Sequence, residues 1–160
     1  MKNFLKLSIL TLSLINLSSN AIAASTSGSS TARVLTPIAV TATTALQFGS
    51  FTSSATAGTI TQAGAVTGGV TAVSSTRSAG VFTVTGESSA NTNYSFTLPS
   101  SVTLTSGANT MTASLSYASG NASRTLISGN DAVTINGTLT VAANQAAGAY
   151  TGTYNVTAIY

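Results

Sequence analysis

The side chains that carry out most enzymatic chemistry are nearly absent from this sequence of 160 residues. It contains no histidine and no cysteine, and its two carboxylates are Glu87 and Asp131. Imidazole-assisted and thiol catalysis are therefore excluded. A carboxylate pair can hydrolyse a glycoside, but these two acids lie in the turns "GESSAN" and "SGNDAV", where acidic side chains usually stay in water. We predict no catalytic, metal or cofactor site, and a protein that is not an enzyme.

Positive charge is too sparse for a nucleic-acid partner. Two of the five cations are Lys2 and Lys6, which belong to the leader described next, so the rest of the chain has three cations and two acids, a net charge of +1 (3 − 2). Nucleic-acid binding needs cations clustered on one surface. The three arginines, Arg33, Arg77 and Arg124, are far apart in sequence, and we expect no nucleic-acid binding.

Residues 1–23 have the pattern of a secretory signal peptide. The lysines of "MKNFLK" precede the apolar run "LSILTLSLINL", and "SSNAIA" then supplies the small residues that signal peptidase recognises. We expect cleavage between Ala23 and Ala24. Because the apolar run is too short to span a bilayer, we expect export with no retained membrane segment.

The remaining chain alternates between apolar and polar residues with the period of a β-strand. Threonine, which is abundant at the polar positions, is β-branched and suits the solvent face of a sheet. Turn residues recur about every 8–12 positions, as in sandwich folds. The pattern predicts an all-β, antiparallel, immunoglobulin-like β-sandwich of about 7–9 strands over residues 37–160. Residues 24–36 are predicted to be a flexible N-terminal arm.

The segment "AVTINGTLTV" contains Asn136-Gly137, a pair that normally signals a two-residue hairpin turn. Such a turn would divide the apolar side chains between two faces. A straight strand keeps them on one face: Val133, Ile135, Leu139, Val141. We therefore predict one continuous strand in which Gly137 is a bulge or a point of close contact.

Residues 150–160 form a second strongly alternating segment. Its large side chains fall on one side of a predicted strand: Tyr150, Tyr154, Val156, Tyr160. An exposed apolar strand edge attracts further strands, and monomeric proteins usually protect such edges with charge or proline. Neither occurs between Asp131 and Tyr160. We expect that an internal strand or a partner covers this edge.

Three segments resemble those of a known family: "LQFGSF", "FTVTGESSANTNYSFTLP" and "GTLTVAANQAAGAYTGTYNVTAIY". Over residues 36–160 the chain resembles the secreted bacterial domain of unknown function 4402. The order of its features is similar to that of spore-coat-U-like pilins, the subunits of archaic chaperone–usher fibres. The resemblance implies a pilin-like sandwich that lacks its last strand. It also implies the partners: other copies or related pilin subunits, a periplasmic chaperone that lends a strand, and an outer-membrane usher.

Carried over to this chain, the resemblance implies that residues 150–160 border the missing strand and that the arm donates it to the next subunit. Ala32 and Val34 would be the inward side chains of that donor. Burial of one large aliphatic side chain contributes about 1.5–3 kcal/mol, against an association cost of roughly 4–15 kcal/mol. Donation is therefore expected to extend through Ile38 and Val40, or to complete folding rather than to join finished domains.

Two functions are compatible with this sequence. The first is a structural subunit of a bacterial surface fibre, such as a fimbria, or of a coat, which assembles by strand exchange and serves adhesion or biofilm formation. The second is a self-contained secreted β-sandwich that binds a ligand such as surface carbohydrate. The absence of tryptophan counts against a sugar site, which usually exposes aromatic side chains. Under the first function we expect export through the periplasm to the cell surface.

Overall fold

The computed structural model describes residues 23–73, 75–89 and 91–160. The chain divides into two units, residues 1–33 and residues 34–160. Within the first unit, residues 23–33 are exposed and form no helix or strand. The predicted signal peptide lies outside the described residues, apart from Ala23. No helix in the described ranges is long and apolar enough to cross a membrane.

The second unit is built from antiparallel β-strands, which confirms the predicted all-β, sandwich-like fold. The described residues form twelve strands, more than the predicted number because several have only two to four residues. Their bounds are β1 Ala39–Thr44, β2 Phe51–Thr52, β3 Gly58–Thr61, β4 Val66–Gly68, β5 Thr71–Ala72, β6 Gly80–Thr85, β7 Thr92–Thr97, β8 Ser101–Ser106, β9 Asn109–Tyr117, β10 Ser123–Leu126, β11 Asn130–Val141 and β12 Thr157–Ile159.

The larger sheet is organised around β11. One side of β11 pairs first with β6, over Asn130–Ile135, and then with β3, over Thr138–Val141. Its other side pairs with β9. Strands β1, β4 and β8 then flank β6, β3 and β9 respectively. The smaller sheet has the order β10-β7-β12, and β2 pairs with β5 apart from both sheets.

Strand β11 runs straight through Asn136-Gly137, as predicted. The side chain of Gln62 holds this point, since its Nε2 donates to Asn136 Oδ1 at 2.8 Å and its Oε1 accepts the Gly137 N–H at 3.0 Å. Gly137 is also a point of close contact: a Cβ there would lie 2.8 Å from Phe48 Cζ and 2.9 Å from Leu46 Cδ2. The absence of a side chain therefore allows the Leu46–Phe48 stretch to pack on the middle of β11.

The hydrophobic core contains the inward side chains of both sheets. Alternate residues of β11 are buried, including Val133, Ile135 and Leu139, and they share the core cluster with Tyr94 and Phe96 of β7. The largest fully buried side chain is Phe96. Its ring lies 6.1 Å from that of Phe82 on β6, between ring centres. The alternation read from the sequence thus corresponds to burial in this part of the fold.

Asp131 links the two sheets, so the prediction that it lies in water in a turn is wrong. It is in β11, where Arg124 of β10 makes a bidentate ion pair with it at 2.6 and 3.0 Å. The hydroxyl of Tyr94 donates to the same carboxylate at 2.6 Å. Burial alone would raise the pKa of Asp131, but the hydrogen bonds from Arg124 and Tyr94 outweigh it and hold that pKa below its usual value.

Candidate functional site: the edge between the first and last segments

Residues 36–53, called here the first segment, and residues 145–160, the last segment, lie side by side and run in opposite directions. At one end Thr36 is hydrogen-bonded to Tyr160. At the other end residues 46–53 face residues 145–150. Strand β1 of the first segment pairs with β6, and β12 of the last segment pairs with β7. Among the described residues, no ladder joins β1 to β12.

A cavity of about 780 Å³ lies between the two segments at the end farther from Thr36. Its walls are residues 46–53 and 145–150. The rest of its lining includes three side chains that belong to the core or pack against it: Leu104, Met111, Leu139. The cavity therefore reaches the hydrophobic core. None of the described residues that line it carries a charge. This space, called here the edge cavity, is lined by apolar side chains and by uncharged polar ones such as Gln47 and Gln145, and it suits a neutral side chain or ligand.

The middle of the edge is filled by side chains of the domain itself. A Cβ at Gly80 would lie 2.7 Å from the hydroxyl oxygen of Tyr154 and 3.4 Å from Leu46 Cβ, so both segments reach Gly80. The Tyr154 ring packs edge-on against Phe82, with 5.9 Å between ring centres. Burial raises the pKa of the Tyr154 hydroxyl. The edge is therefore open at the cavity and closed at Tyr154.

Glu87 lies at the opposite end of the edge, and the prediction that it stays in water is wrong. Its residue is 8% exposed, the most buried charged residue among those described. One carboxylate oxygen accepts the Thr36 N–H at 3.0 Å. The other accepts the N–H of Ser89 at 2.9 Å and also its hydroxyl. These bonds offset the cost of burying a charge.

The structure separates the predicted strand-exchange residues into two groups. Ala32 and Val34 of the arm are exposed and belong to no strand, and Val34 is 95% exposed. The others lie in the domain: Ile38, Val40, Tyr150, Tyr154, Val156, Tyr160. All of these except Tyr160, which is 44% exposed, are half-buried against the core.

Ile38 and Val40, the predicted donor residues that lie within the domain, already have partners in the same chain. Val40 lies in β1, opposite Val84 of β6, and Ile38 packs against the same core. A donor strand that extended through Val40 would therefore have to give up the pairing of β1 with β6. The residues before Pro37 are the ones that can leave without that loss.

The last segment is less regular than the strand predicted over residues 150–160. Its side chains alternate in burial as predicted, but the backbone pairs only at Thr151, which bonds Thr105, and over Thr157–Ile159. Between these points the chain crosses from the edge of β8 to the edge of β7. A Cβ at Gly152 would overlap the Thr103 carbonyl, so the crossing brings the two backbones very close. One continuous strand here is therefore a wrong prediction.

Several residues of this edge were missed from the sequence. Leu46 and Phe48 of "LQFGSF" lie two positions apart, as same-face residues of a strand do, but this spacing does not indicate a cavity. Nothing in the sequence around Leu104 and Met111 indicates a role at the edge. Glu87 was misplaced because a lone acid in a polar turn carries no sign of burial.

Residues that hold metals do not cluster in the described part of the chain, where no group of three His, Cys, Asp or Glu side chains comes together. The lining of the edge cavity is neutral, and the carboxylate of Glu87 lies at the opposite end of the edge from this cavity. What the edge offers is an uncharged space that reaches the core, and a last segment whose backbone has few ladder partners.

The comparisons with known proteins give one match. A family model described as "Domain of unknown function (DUF4402)" matches residues 38–160. The match begins at Ile38 and covers the first segment from there, both sheets and the last segment. Neither the curated proteins nor the solved structures gave a match to this chain.

Proposed function

This chain belongs to the domain of unknown function 4402 family, and we propose that it is a structural subunit of a bacterial surface fibre or coat, assembled by β-strand exchange. Its partners would be other copies or related subunits, together with a periplasmic chaperone and an outer-membrane usher, as in the spore-coat-U-like pilins that it resembles. Adhesion or biofilm formation would be the purpose of the assembly. One observation carries the proposal: the last segment alternates like a core strand, yet most of its backbone has no ladder.

The acceptor would be the edge between the first and last segments. Residues 152–156 lie outside any ladder among the described residues, and the edge cavity beside them reaches Met111 and Leu139 of the core. An added strand would bond its backbone to the last segment and place alternate side chains over the core. Strand edges of this kind, without charge or proline, favour pairing with another chain.

The donor would be the arm of residues 24–36. Val34 and Leu35 are both exposed, at 95% and 39%, although each is aliphatic. Burial of Val34 contributes about 1.5–3 kcal/mol, and each backbone hydrogen bond about 0.5–1.5 kcal/mol net. Several such bonds are needed to exceed an association cost of roughly 4–15 kcal/mol. The pairing of backbone, more than the arm's side chains, would stabilise the contact.

The test compares polymer formation by two valine variants of the secreted chain. Val34→Asp places a charge on the donor and should abolish polymers seen by size-exclusion chromatography and electron microscopy, because the charge would enter a site that reaches the core and offers no opposite charge. Val73→Asp is the matched control: Val73 is 68% exposed, lies outside the arm, and does not line the edge cavity. It should polymerise normally.

A second measurement uses a peptide of residues 24–36. Added to chains that lack these residues, the peptide should raise the melting temperature, as any ligand selective for the native state does. Truncated chains that are monomeric, equally stable and indifferent to the peptide would contradict the proposal.

That contrary result would favour the second function, a self-contained ligand-binding module. The edge cavity supports this alternative by size, since about 780 Å³ falls within the range of roughly 300–1,000 Å³ typical of small-molecule sites. The two functions then differ in one readout. A binding module would take up a small ligand, such as an oligosaccharide, with the arm removed, whereas a fibre subunit would take up the peptide.

A further inference from the structure

Two side chains, those of Glu87 and Tyr160, hold the base of the arm through the N–H and the carbonyl of one residue, Thr36. The N–H of Thr36 donates to Glu87 Oε2 at 3.0 Å, and the carbonyl of Thr36 accepts the Tyr160 hydroxyl at 2.7 Å. The same hydroxyl accepts the N–H of Glu87 at 2.6 Å, which closes the ring of contacts. Thr36, Glu87 and Tyr160 are called here the arm clamp.

Two neighbouring residues, Gly86 and Ser89, support the arm clamp. A Cβ on Gly86 would overlap the Tyr160 hydroxyl and would lie 3.0 Å from Leu126 Cδ1, so only glycine leaves room for this hydroxyl. Ser89 orients the Glu87 carboxylate through its N–H and its own hydroxyl. Burying a carboxylate costs free energy unless it is hydrogen-bonded. The Glu87 carboxylate therefore depends on its bonds to Thr36 and Ser89.

The arm is long enough to reach the edge of its own chain. Residues 24–35 in extended form span about 40 Å, and the ten residue steps from Thr36 to Leu46 span about 33 Å at roughly 3.3 Å per residue. An arm that reversed direction at Thr36-Pro37 could therefore lie along its own first segment as far as the edge cavity. Such self-insertion would compete with donation to another subunit.

The clamp opposes that reversal. Proline at position 37 restricts Thr36 to extended conformations, and the two clamp bonds occupy both the N–H and the carbonyl of Thr36. A tight turn at this residue would break both of them. We propose that the arm clamp prevents the arm from inserting into the edge of its own chain and so reserves it for another copy. This inference rests on the proposed function.

The test removes one hydroxyl from the full secreted chain. Tyr160→Phe keeps the ring and loses the bond to the Thr36 carbonyl together with the bond from the Glu87 N–H. Tyr117→Phe is the control, since it loses a similar bond of 2.6 Å that goes to the Phe96 carbonyl rather than to the arm. Hydrogen exchange is read on dilute monomers, at the Thr36 amide and over residues 24–35. Polymer yield is read at high concentration.

Tyr160→Phe should raise the exchange rate of the Thr36 amide about fivefold, the effect of one net hydrogen bond. Protection of residues 24–35 in the monomer should increase, and polymer yield should fall by a similar factor. Tyr117→Phe should leave all three readouts at the wild-type level. If Tyr160→Phe does not fold, Glu87→Gln is read in the same way, because it removes the charge that holds Thr36.

The outcomes separate this inference from the function on which it rests. A wild-type chain that never polymerises overturns the proposed function. A wild-type chain that polymerises, with a Tyr160→Phe variant that polymerises equally and leaves residues 24–35 unprotected in the monomer, overturns the clamp alone.

Discussion

Strand β11 and the last segment both alternate between core-facing and solvent-facing residues, but only β11 is paired along its length. It has β6 and β3 on one side and β9 on the other, whereas the last segment pairs at Thr151 and over Thr157–Ile159. The side chains of both segments alternate between the core and the solvent, but only the backbone of β11 is hydrogen-bonded to neighbouring strands along its length. Alternation therefore shows which side of a segment faces the core, and leaves open which backbone pairs with it.

The difference has a local cause in the neighbours of each segment. Across the solvent face of the larger sheet, threonines stand in register: Thr59 and Thr112 flank Thr140. Cross-strand pairs of this kind stabilise a ladder. The last segment has no such neighbour over residues 152–156, because it passes from the edge of one sheet to the edge of the other. Residues 152–156 therefore place alternate side chains toward the core but form no ladder with a neighbouring strand.

The strongest test of this contrast compares two phenylalanines. Phe96→Ala, at a fully buried site of β7, should lower the free energy of unfolding by about 3–5 kcal/mol. Phe51→Ala, at a half-buried site on the edge cavity, should lower it by about 1–2 kcal/mol, since part of this ring is already in water. Urea unfolding measures both. Equal losses would mean that the edge is packed as tightly as the core.

A smaller loss of stability is expected from a substitution where the first segment packs on β11. Gly137→Ala would place a methyl group 2.8 Å from Phe48 Cζ and 2.9 Å from Leu46 Cδ2. Overpacking of this kind costs about 1–3 kcal/mol, and it should push the first segment away from β11. Gly28→Ala is the control, because nothing lies within 4 Å of its added carbon. Thermal unfolding at equal concentrations measures both variants, and an unchanged Gly137→Ala protein would contradict the close contact.

Much of the fold follows from local chemistry that a sequence displays. The straight course of β11 could be predicted because a turn at Asn136-Gly137 would have divided Val133 and Ile135 from Leu139. The tight turn before β11 was equally legible in "SGND", where Ser128 and Gly129 have positive φ of 51° and 79°, as a two-residue hairpin requires.

The candidate site was harder to predict from the sequence, because it depends on contacts between residues that are far apart in the chain. Glu87 is separated from Thr36 by 51 positions, and Tyr160 from Thr36 by 124. Neither pair has a spacing that marks it. The burial of Glu87 and the link from Asp131 to Arg124 both depend on how the sheets meet, which no periodicity encodes.

The smallest expected effect concerns the link between the sheets at the start of β11, the counterpart of the arm clamp on the paired side of the fold. Asp131→Asn keeps a hydrogen-bonding group beside Tyr94 and removes the charge that faces Arg124, whose side chain is 13% exposed. Because the pair is only partly buried, the loss should be about 1–2 kcal/mol at neutral pH.

The contribution of Asp131 to the free energy of unfolding should depend on pH. The pKa of Asp131 is lower in the folded chain than its usual value, so the carboxylate stabilises the fold above the unfolded pKa of about 3.9. That contribution is lost as the pH falls through the lower, folded pKa. The wild-type chain should therefore lose stability below about pH 4, and the Asp131→Asn chain should lose less, since Glu87 is then its one acidic side chain. Urea midpoints from pH 2 to pH 7 measure the difference. Parallel curves for the two chains would show that Asp131 is not tied to Arg124, and that the paired side of the fold is held by its ladders alone.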